Sequence, residues 1–117
     1  MAEDNEEIDP NAKPSGTGCV ECLAGGAWWF HLRRCGTCGH IGCCDTSPNQ
    51  HARKHFHHTK HAVIVSFEPG ETWFYDFRTG ASGDAPEHLA APRWHPTNQP
   101  VPGPAGRVPS DWEEHLN

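Results

Sequence analysis

Cysteine and histidine, the side chains that bind zinc most readily, recur at short spacings in the middle of the chain. Two Cys-x-x-Cys pairs are followed by a further cysteine and three spaced histidines, all between residues 19 and 61. The eight candidate ligands are Cys19, Cys22, Cys35, Cys38, Cys43, His51, His55 and His61. Two such pairs followed by histidines are much more specific than one pair alone, and eight ligands suffice for two closed tetrahedral sites. We therefore predict that the chain holds two Zn²⁺ ions.

Cysteine clusters have other uses, which fit this pattern less well. A redox dithiol or an iron–sulfur cluster would leave the histidines without a role. A catalytic zinc keeps an open coordination position, and the H-E-x-x-H arrangement places a glutamate directly after the first histidine. Here Ala52 follows His51. The ligands thus predict structural zinc sites and no enzyme.

The ligands can be paired in two ways. In a sequential scheme, the four cysteines from Cys19 to Cys38 hold one ion and the four residues from Cys43 to His61 hold the other. In an interleaved scheme, the first and third ligand pairs share one ion, and the second and fourth pairs share the other. His51 and His55 lie one helical turn apart, which favours binding of both to one ion. The interleaved scheme is favoured instead by topology, because it would connect all segments into one folded unit. The residues alone leave both schemes open.

The elements that must position these ligands are short. Apolar patterning predicts strands at about 28–33, 62–67 and 72–77, and Glu68-Pro69-Gly70-Glu71 predicts a turn that joins the last two strands into a hairpin. Ser47-Pro48-Asn49-Gln50 has a capping-box pattern with proline at the first helical position, which predicts a helix over about 48–58. The fold class is therefore α+β, with a short antiparallel sheet and one helix.

Composition divides the chain into three segments. Residues 1–18 carry five acids in their first ten positions and predict an acidic, disordered arm. Residues 19–77 hold every cysteine and predict the folded domain, whereas 78–117 contain seven prolines and predict a flexible, largely irregular tail. With 35% hydrophobic residues, 12 glycines and 11 prolines in 117 residues, the core is thin. We expect bound metal ions to stabilise such a small domain.

Charge and hydropathy exclude several classes of protein. The formal net charge of −6 argues against nonspecific binding to nucleic acid or to an anionic membrane. No apolar run approaches the ~20 residues of a membrane span. The acidic, polar start is not typical of a signal peptide, and a disulfide framework is not expected without export. We expect a cytoplasmic monomer.

The spacing of ligands and aromatic residues resembles the UBP-type zinc finger, which occurs in ubiquitin-processing proteases and one class of histone deacetylase. The resemblance covers residues 19–77 and includes Trp29, Cys35-x-x-Cys38-Gly39 and His51-Ala52-x-x-His55. Three details look more like small stand-alone bacterial members: His31-Leu32-Arg33, Gly42-Cys43-Cys44-Asp45 and Glu68-Pro69-Gly70-Glu71-x-Trp73.

The resemblance implies an α+β fold with interleaved zinc sites. Carried over by position, the first Zn²⁺ would be held by Cys19, Cys22, Cys43 and His51, and the second by Cys35, Cys38, His55 and His61. Some members hold a third zinc through a cysteine pair near the last strand. Phe74 stands where one of those cysteines would be, so we expect only two ions.

The resemblance also implies peptide recognition, because the best-known activity of the family is to bind the free C-terminal tail of ubiquitin. An arginine after the third-motif Cys-Gly holds the tail carboxylate in the family, but here Cys44 and Asp45 occupy those two positions. An aspartate would repel a carboxylate, which argues against ubiquitin as the ligand. The residues expected to line a peptide groove are Trp29, Arg33, Arg34, Trp73 and Tyr75.

Local charge supports a protein or peptide partner. Residues 31–61 contain five Arg and Lys residues but only one acid, Asp45. An acidic segment or a free C-terminus would therefore be attracted to this part of the chain. Two alternatives remain from the sequence. One is a zinc finger that binds nucleic acid, although it lacks a recognition helix rich in Lys and Arg. The other is a redox sensor in which the Cys44 thiol lies beside the zinc thiolates.

Overall fold

A computed structural model describes residues 8–9 and 11–117. The acidic run at 1–7, on which the predicted disordered arm largely depends, lies outside the described residues. Within the described part, the strands are β1 (Leu32–Cys35), β2 (Ile41–Cys43), β3 (Val63–Ser66), β4 (Trp73–Asp76) and β5 (Ser82–Asp84). The helices are α1 (Val20–Gly25), α2 (His51–Thr59) and two short 3₁₀ turns at Glu87–Leu89 and Trp112–His115.

The five strands form one antiparallel sheet in the order β2-β1-β3-β4-β5. Because side chains alternate across a strand, the register places Arg33, Ile64 and Tyr75 on one face of the sheet. Leu32 and Val65 lie on the opposite face. The predicted α+β class with a short antiparallel sheet is confirmed.

The predicted hairpin is present as β3 and β4. Its turn closes with the Glu71 backbone N–H donating to the Glu68 carbonyl at 3.1 Å. Gly70 has φ of 85°, a left-handed conformation that glycine adopts without strain. The Ser66 hydroxyl also accepts the Glu68 backbone N–H at 3.1 Å. Local turn chemistry therefore specifies this part of the fold.

The helix begins three residues later than the capping-box pattern predicts. The Ser47 hydroxyl accepts the Phe30 backbone N–H at 2.8 Å and lies 3.3 Å from the Cys44 thiol, so it does not cap the helix. Gln50 instead precedes α2 in a left-handed conformation, with φ of 51°. A long-range contact has thus displaced the local signal, and His51 becomes the first residue of the helix.

Helix α2 packs closely on β2. A Cβ atom built at Gly42 would lie 2.7 Å from the Ala52 backbone nitrogen, so no larger residue fits there without a shift. The His51 backbone N–H, at the helix start, donates to the Cys43 Sγ at 3.2 Å. The close approach of helix and strand therefore places His51 beside Cys43.

The sequence predicts one helix, but the structure contains a second, α1, as well as two strands that patterning does not predict. Cys19 is the N-cap of α1, and its Sγ accepts the Cys22 backbone N–H at 3.4 Å. Strand β1 begins at Leu32 rather than near residue 28, because Trp29 pairs instead with Gly103 through two backbone hydrogen bonds of 2.8 and 3.0 Å.

The core lies on the face of the sheet opposite Ile64. It consists of buried apolar side chains together with three cysteines: Trp29, Leu32, Ile41, Phe67, Cys19, Cys22 and Cys43. Thiols thus occupy positions that larger apolar side chains would fill in an ordinary core, which agrees with the low hydrophobic content of the chain.

The segments that flank residues 19–77 contact that part of the chain. Near the start, the Ser15 backbone N–H donates to the Gly39 carbonyl at 2.9 Å. In the tail, β5 extends the sheet, Leu89 is fully buried, and Trp112 stacks on Phe30 with ring centroids 5.7 Å apart. The boundaries at residues 18 and 77 remain predictions. No helix in the described part of the chain has the length and apolar character needed to cross a membrane.

Candidate metal centres and ligand groove

The first group of candidate ligands lies at the junction of α1, β2 and α2. The His51 Nδ1 atom lies 3.3 Å from the Sγ atoms of Cys19 and Cys22 and 3.5 Å from that of Cys43. The Cys22 and Cys43 sulfurs are 3.9 Å apart. All three cysteines are buried, so the group faces the core.

The second group lies between the β1–β2 turn and the far end of α2. The Cys38 Sγ is 3.4 Å from the His55 Nε2, and the Cys35 Sγ is 3.6 Å from the His61 Nδ1. One donor atom from each of these four residues lies within 4.8 Å of every other. Cys38 is exposed, which places this group nearer the surface than the first.

Both groups have the dimensions of a tetrahedral zinc site. Zinc bonds of about 2.3 Å to sulfur and 2.0–2.1 Å to nitrogen place neighbouring ligand atoms roughly 3.3–3.8 Å apart in a tetrahedron. The distances within each group are close to that range. The two groups, Cys19/Cys22/Cys43/His51 and Cys35/Cys38/His55/His61, could therefore hold two Zn²⁺ ions.

The two groups interleave along the chain. His51 and His55 lie one turn apart on α2 but belong to different groups, because His51 meets the end of β2 whereas His55 reaches the β1–β2 turn. Helix α2 thus contributes to both groups, and β1 and β2 connect them. The geometry brings the ligands together in the interleaved arrangement that the family resemblance implies.

Protonation within the first group is uneven without a metal. Hydrogen bonds from Cys19 and Cys22 lower the pKa of Cys43 to about 2. A hydrogen bond from Cys22 lowers the pKa of Cys19, but its contact with Cys43 and its burial raise it more, to about 12. Ionisation of one of these sulfurs therefore disfavours ionisation of its neighbours. A bound zinc would supply the positive charge that keeps all three deprotonated.

In the second group, the surroundings of His55 favour its neutral form. Burial, followed by the neighbouring His40 and His61 rings, lowers the pKa of His55 to about 4. Burial also raises the pKa of the Cys35 thiol to about 11. A histidine must be neutral to bind zinc, so His55 is poised as a ligand throughout the neutral range.

His40 connects the two groups without belonging to either. Its Nε2 lies 2.8 and 3.0 Å from the carboxylate oxygens of Glu21, which stands between Cys19 and Cys22. Its ring stacks on that of His55, with centroids 4.1 Å apart and planes within 4° of parallel. This stacking restricts the ring of His55, a candidate ligand of the second group. The sequence gives no local signal for this contact.

Cys44, the remaining cysteine, stays outside both groups. It is 3% exposed, and its Sγ lies 3.3 Å from the Ser47 hydroxyl. Reactive redox cysteines are usually accessible to solvent and to their partners. The burial of this thiol therefore does not favour the redox-sensor alternative.

A groove of about 590 Å³ lies on the sheet face that carries Ile64, between that face and α2. Three of the five residues predicted for peptide binding line it, namely Arg33, Trp73 and Tyr75. The other lining residues that matter below are Asp45, Arg53, Phe77 and Asp84. Strand β5, which patterning does not predict, supplies Asp84 and so forms one wall.

The groove holds two ordered arginines. The Arg33 guanidinium lies over the Trp73 ring, 4.6 Å from its centroid. The Arg53 guanidinium lies over the Phe77 ring at 4.8 Å, and its Nε donates to both carboxylate oxygens of Asp45 at 3.0 Å. Asp45, the aspartate expected to repel a carboxylate ligand, is therefore paired with a cation. Residues 45 and 53 meet only through the fold, so the sequence alone does not reveal the pair.

Two predicted groove residues lie elsewhere. Trp29 is 1% exposed and belongs to the core, and it does not line the groove. Arg34 is 6% exposed, and its guanidinium donates to the Ala12 carbonyl on the side of the sheet away from the groove. Strand alternation explains this difference, since Arg33 and Arg34 are neighbours and must point to opposite faces.

Comparison with known proteins agrees with the geometry. The family profile of zinc fingers in ubiquitin hydrolases and other proteins matches residues 19–84, more than half of the chain. The solution NMR structure of protein RPA1320 from Rhodopseudomonas palustris is 44% identical to the chain, with a TM-score of 0.62. That similarity covers 78% of this chain and 84% of the other. No curated protein matches the chain. The chain therefore belongs to the zinc-finger family that occurs in ubiquitin hydrolases and other proteins.

Proposed function

We propose that this protein is a non-catalytic recognition module that binds a peptide, and in particular a free protein C-terminus, in the groove between α2 and the sheet. Two structural zinc ions would hold the groove in shape. Their proposed ligands are Cys19, Cys22, Cys43 and His51 for the first ion and Cys35, Cys38, His55 and His61 for the second.

The observation that carries this proposal is the position of Arg33. Its guanidinium lies over Trp73 at the groove surface, 4.6 Å from the ring centroid, and its nearest acid, Glu71, is 4.0 Å away. Its Nη1 also donates to the Leu32 carbonyl at 3.1 Å. A long, partly exposed ion pair is weak, so most of the hydrogen-bonding capacity of Arg33 is free for a carboxylate. Flanking aromatic rings suit a short apolar or glycine-rich tail.

The zinc groups favour recognition over catalysis. Each offers four protein ligands, and four ligands close a tetrahedral site. A catalytic zinc would need a free position for water. The proposed role of the ions is therefore to hold α2, β1 and β2 in place, and the role of the groove is to bind a partner.

A peptide titration tests the proposal. The probe is an N-acetylated hexapeptide of alanine and glycine with a free C-terminal carboxylate, and the control is the same peptide with an amidated C-terminus. We expect amide and indole shifts in ¹H–¹⁵N spectra around Arg33, Trp73 and Tyr75 with the free acid, and much weaker shifts with the amide. The absence of shifts in the groove with both peptides would contradict peptide binding.

Two substitutions sharpen the test. Arg33→Ala is expected to weaken the binding of the carboxylate peptide by about tenfold, which corresponds to the loss of roughly one charge-assisted hydrogen bond. Asp45→Asn is expected to strengthen the binding of this peptide severalfold, because Arg53 loses its partner and the groove loses an anion. Lys54→Ala removes an exposed cation from α2 outside the groove and serves as the control. Equal affinity of all three variants would exclude Arg33 as the carboxylate ligand.

A further inference from the structure

The two zinc groups differ in their access to solvent. Every cysteine of the first group is fully buried, with 0% of its surface exposed. In the second group Cys35 is 2% exposed, whereas Cys38 lies at the protein surface. All six cysteines lie in the described part of the chain, and Cys38 is the only exposed one. An oxidant in solution would therefore reach a thiolate of the second group and none of the first.

Cys35 and Cys38 are close enough to form a disulfide. The ligand atoms of the second group all lie within 4.8 Å of one another, so these two sulfurs are at most 4.8 Å apart. A disulfide bond is about 2.0 Å long, and rotation of the two side chains supplies the remaining approach. The Cys-x-x-Cys spacing is also the one that many redox-active dithiols use.

Hydrogen bonds hold the backbone of this turn in addition to any metal. The Cys35 backbone N–H donates to the His40 carbonyl at 2.8 Å, and the Gly39 backbone N–H donates to the Cys35 carbonyl at 2.9 Å. The Gly36 backbone N–H donates to the Val63 carbonyl at 2.9 Å, which ties the turn to the start of β3. The two sulfurs are thus presented from a fixed backbone.

We propose that Cys38 and Cys35 form a reversible oxidation site, at which hydrogen peroxide converts the two thiolates to a disulfide and releases zinc from the second group alone. Bound zinc keeps both thiols deprotonated. The Cys38 thiolate attacks one peroxide oxygen and breaks the O–O bond, which yields a sulfenic acid and hydroxide. The Cys35 thiolate then attacks the Cys38 sulfur and displaces a second hydroxide. Each sulfur loses one electron, and the peroxide gains two.

This oxidation would free the far end of α2 but not its start. His55 and His61 would be left without the two sulfurs that complete their group, whereas His51 stays with the first group in the core. Phe56, beside His55, stacks on Phe77 of the groove wall with ring centroids 5.2 Å apart. The released helix end therefore borders the groove. The inference requires zinc in the second group but is independent of what the groove binds.

A peroxide titration with zinc counting tests the inference. The zinc-loaded protein is treated with hydrogen peroxide at neutral pH, a colorimetric chelator reports free zinc, and differential alkylation with mass spectrometry locates the oxidised thiols. We expect one ion to be released at least about tenfold faster than the other, because oxidation follows thiol exposure. The disulfide formed in that phase should join Cys35 to Cys38. A thiol reductant with added zinc should restore the original zinc content.

A substitution at position 38 separates oxidation from the loss of a ligand. Cys38→His keeps a side chain that binds zinc but cannot form a disulfide, so the variant is expected to hold two ions and to retain both in peroxide. Cys44→Ala removes a buried thiol that belongs to neither group and is the matched control. It should release zinc at the parental rate. If Cys38→His does not load a second ion, the alkylation map of the parental protein decides.

The results that would overturn the inference are specific. They are release of both ions at one rate or of neither, a disulfide that includes Cys44 or a cysteine of the first group, and zinc loss that the reductant does not reverse. None of these results bears on peptide binding. A protein that holds only one ion before oxidation would contradict the second zinc site, and the oxidation site would fail with it.

Discussion

The contact of His40 with Glu21 and His55 is the residue-scale feature that joins the two zinc groups. Glu21 belongs to the turn that carries Cys19 and Cys22, whereas His55 is a ligand candidate of the other group. The stacked ring limits the orientations that His55 can adopt. Partners that hydrogen-bond to a metal ligand typically change metal affinity 10- to 100-fold when they are removed, and a ring that only stacks on the ligand is expected to have a smaller effect.

His40→Ala is therefore expected to accelerate the loss of zinc from the second group severalfold, below the 10- to 100-fold effect of a hydrogen-bonded partner. Release of zinc to a colorimetric chelator, measured at neutral pH, should separate into a fast phase and a slow phase of equal amplitude. His58→Ala, an exposed histidine on α2 that belongs to neither group, is the control and should release both ions at the parental rate. Identical kinetics for His40→Ala would show that His40 does not orient His55.

At the scale of elements, α1 depends on the tail of the chain. This helix has six residues, too few to be stable alone. The Arg107 guanidinium donates to the carbonyls of Cys22 at 2.8 Å and Ala27 at 3.2 Å, where the helix ends. A cation at a helix C-terminus also meets the negative end of the helix dipole. The tail thus holds the turn that carries the first two zinc ligands.

Arg107→Ala is expected to lower the free energy of unfolding by about 1 kcal/mol, less than a buried charged hydrogen bond because Arg107 is exposed. Urea unfolding in the presence of zinc measures the change, and Arg107→Lys should restore part of it. Arg93→Ala is the control, because it removes an exposed arginine that makes none of these hydrogen bonds to α1. A stability equal to that of the parent would mean that the tail does not support α1.

The same scale shows what the sequence could and could not reveal. The hairpin and the zinc ligands were predictable because Glu68-Pro69-Gly70-Glu71 and each Cys-x-x-Cys pair act within a few residues. The start of α2 was not, because Ser47 bonds to Phe30 instead of capping the helix. Strand β5 has three residues with a glycine at its centre, and it forms only by pairing with β4. Contacts between distant segments decide these features.

The groove shows the same division. Trp73 and Tyr75 could be predicted as neighbours because alternate residues of a strand share a face. Which of Arg33 and Arg34 faces the groove depends on which residues of β1 point to each side of the sheet. Only the pairing of β1 with β2 and β3 fixes this. Trp29 was expected in the groove, but it lies in the core because it pairs with Gly103, 74 positions further along the chain.

At the scale of the whole molecule, we expect metal binding to dominate stability. A structural zinc contributes about 10–16 kcal/mol of binding free energy at neutral pH. The net stability of a domain is only about 5–15 kcal/mol. Three of the buried core residues are themselves zinc-ligand candidates, so removal of the ions would leave unpaired thiols where the core should be. We therefore expect the metal-free chain to lose its tertiary structure.

The dependence of the fold on zinc can be measured with the ¹H–¹⁵N spectrum of the protein, recorded at neutral pH while a chelator removes zinc and the released metal is counted. We predict that two zinc ions leave per chain, that the dispersed signals of the sheet and the groove collapse, and that added zinc restores them. A metal-free protein that keeps its dispersed spectrum would show that zinc does not hold the fold together, and a content other than two ions would contradict the two proposed zinc sites.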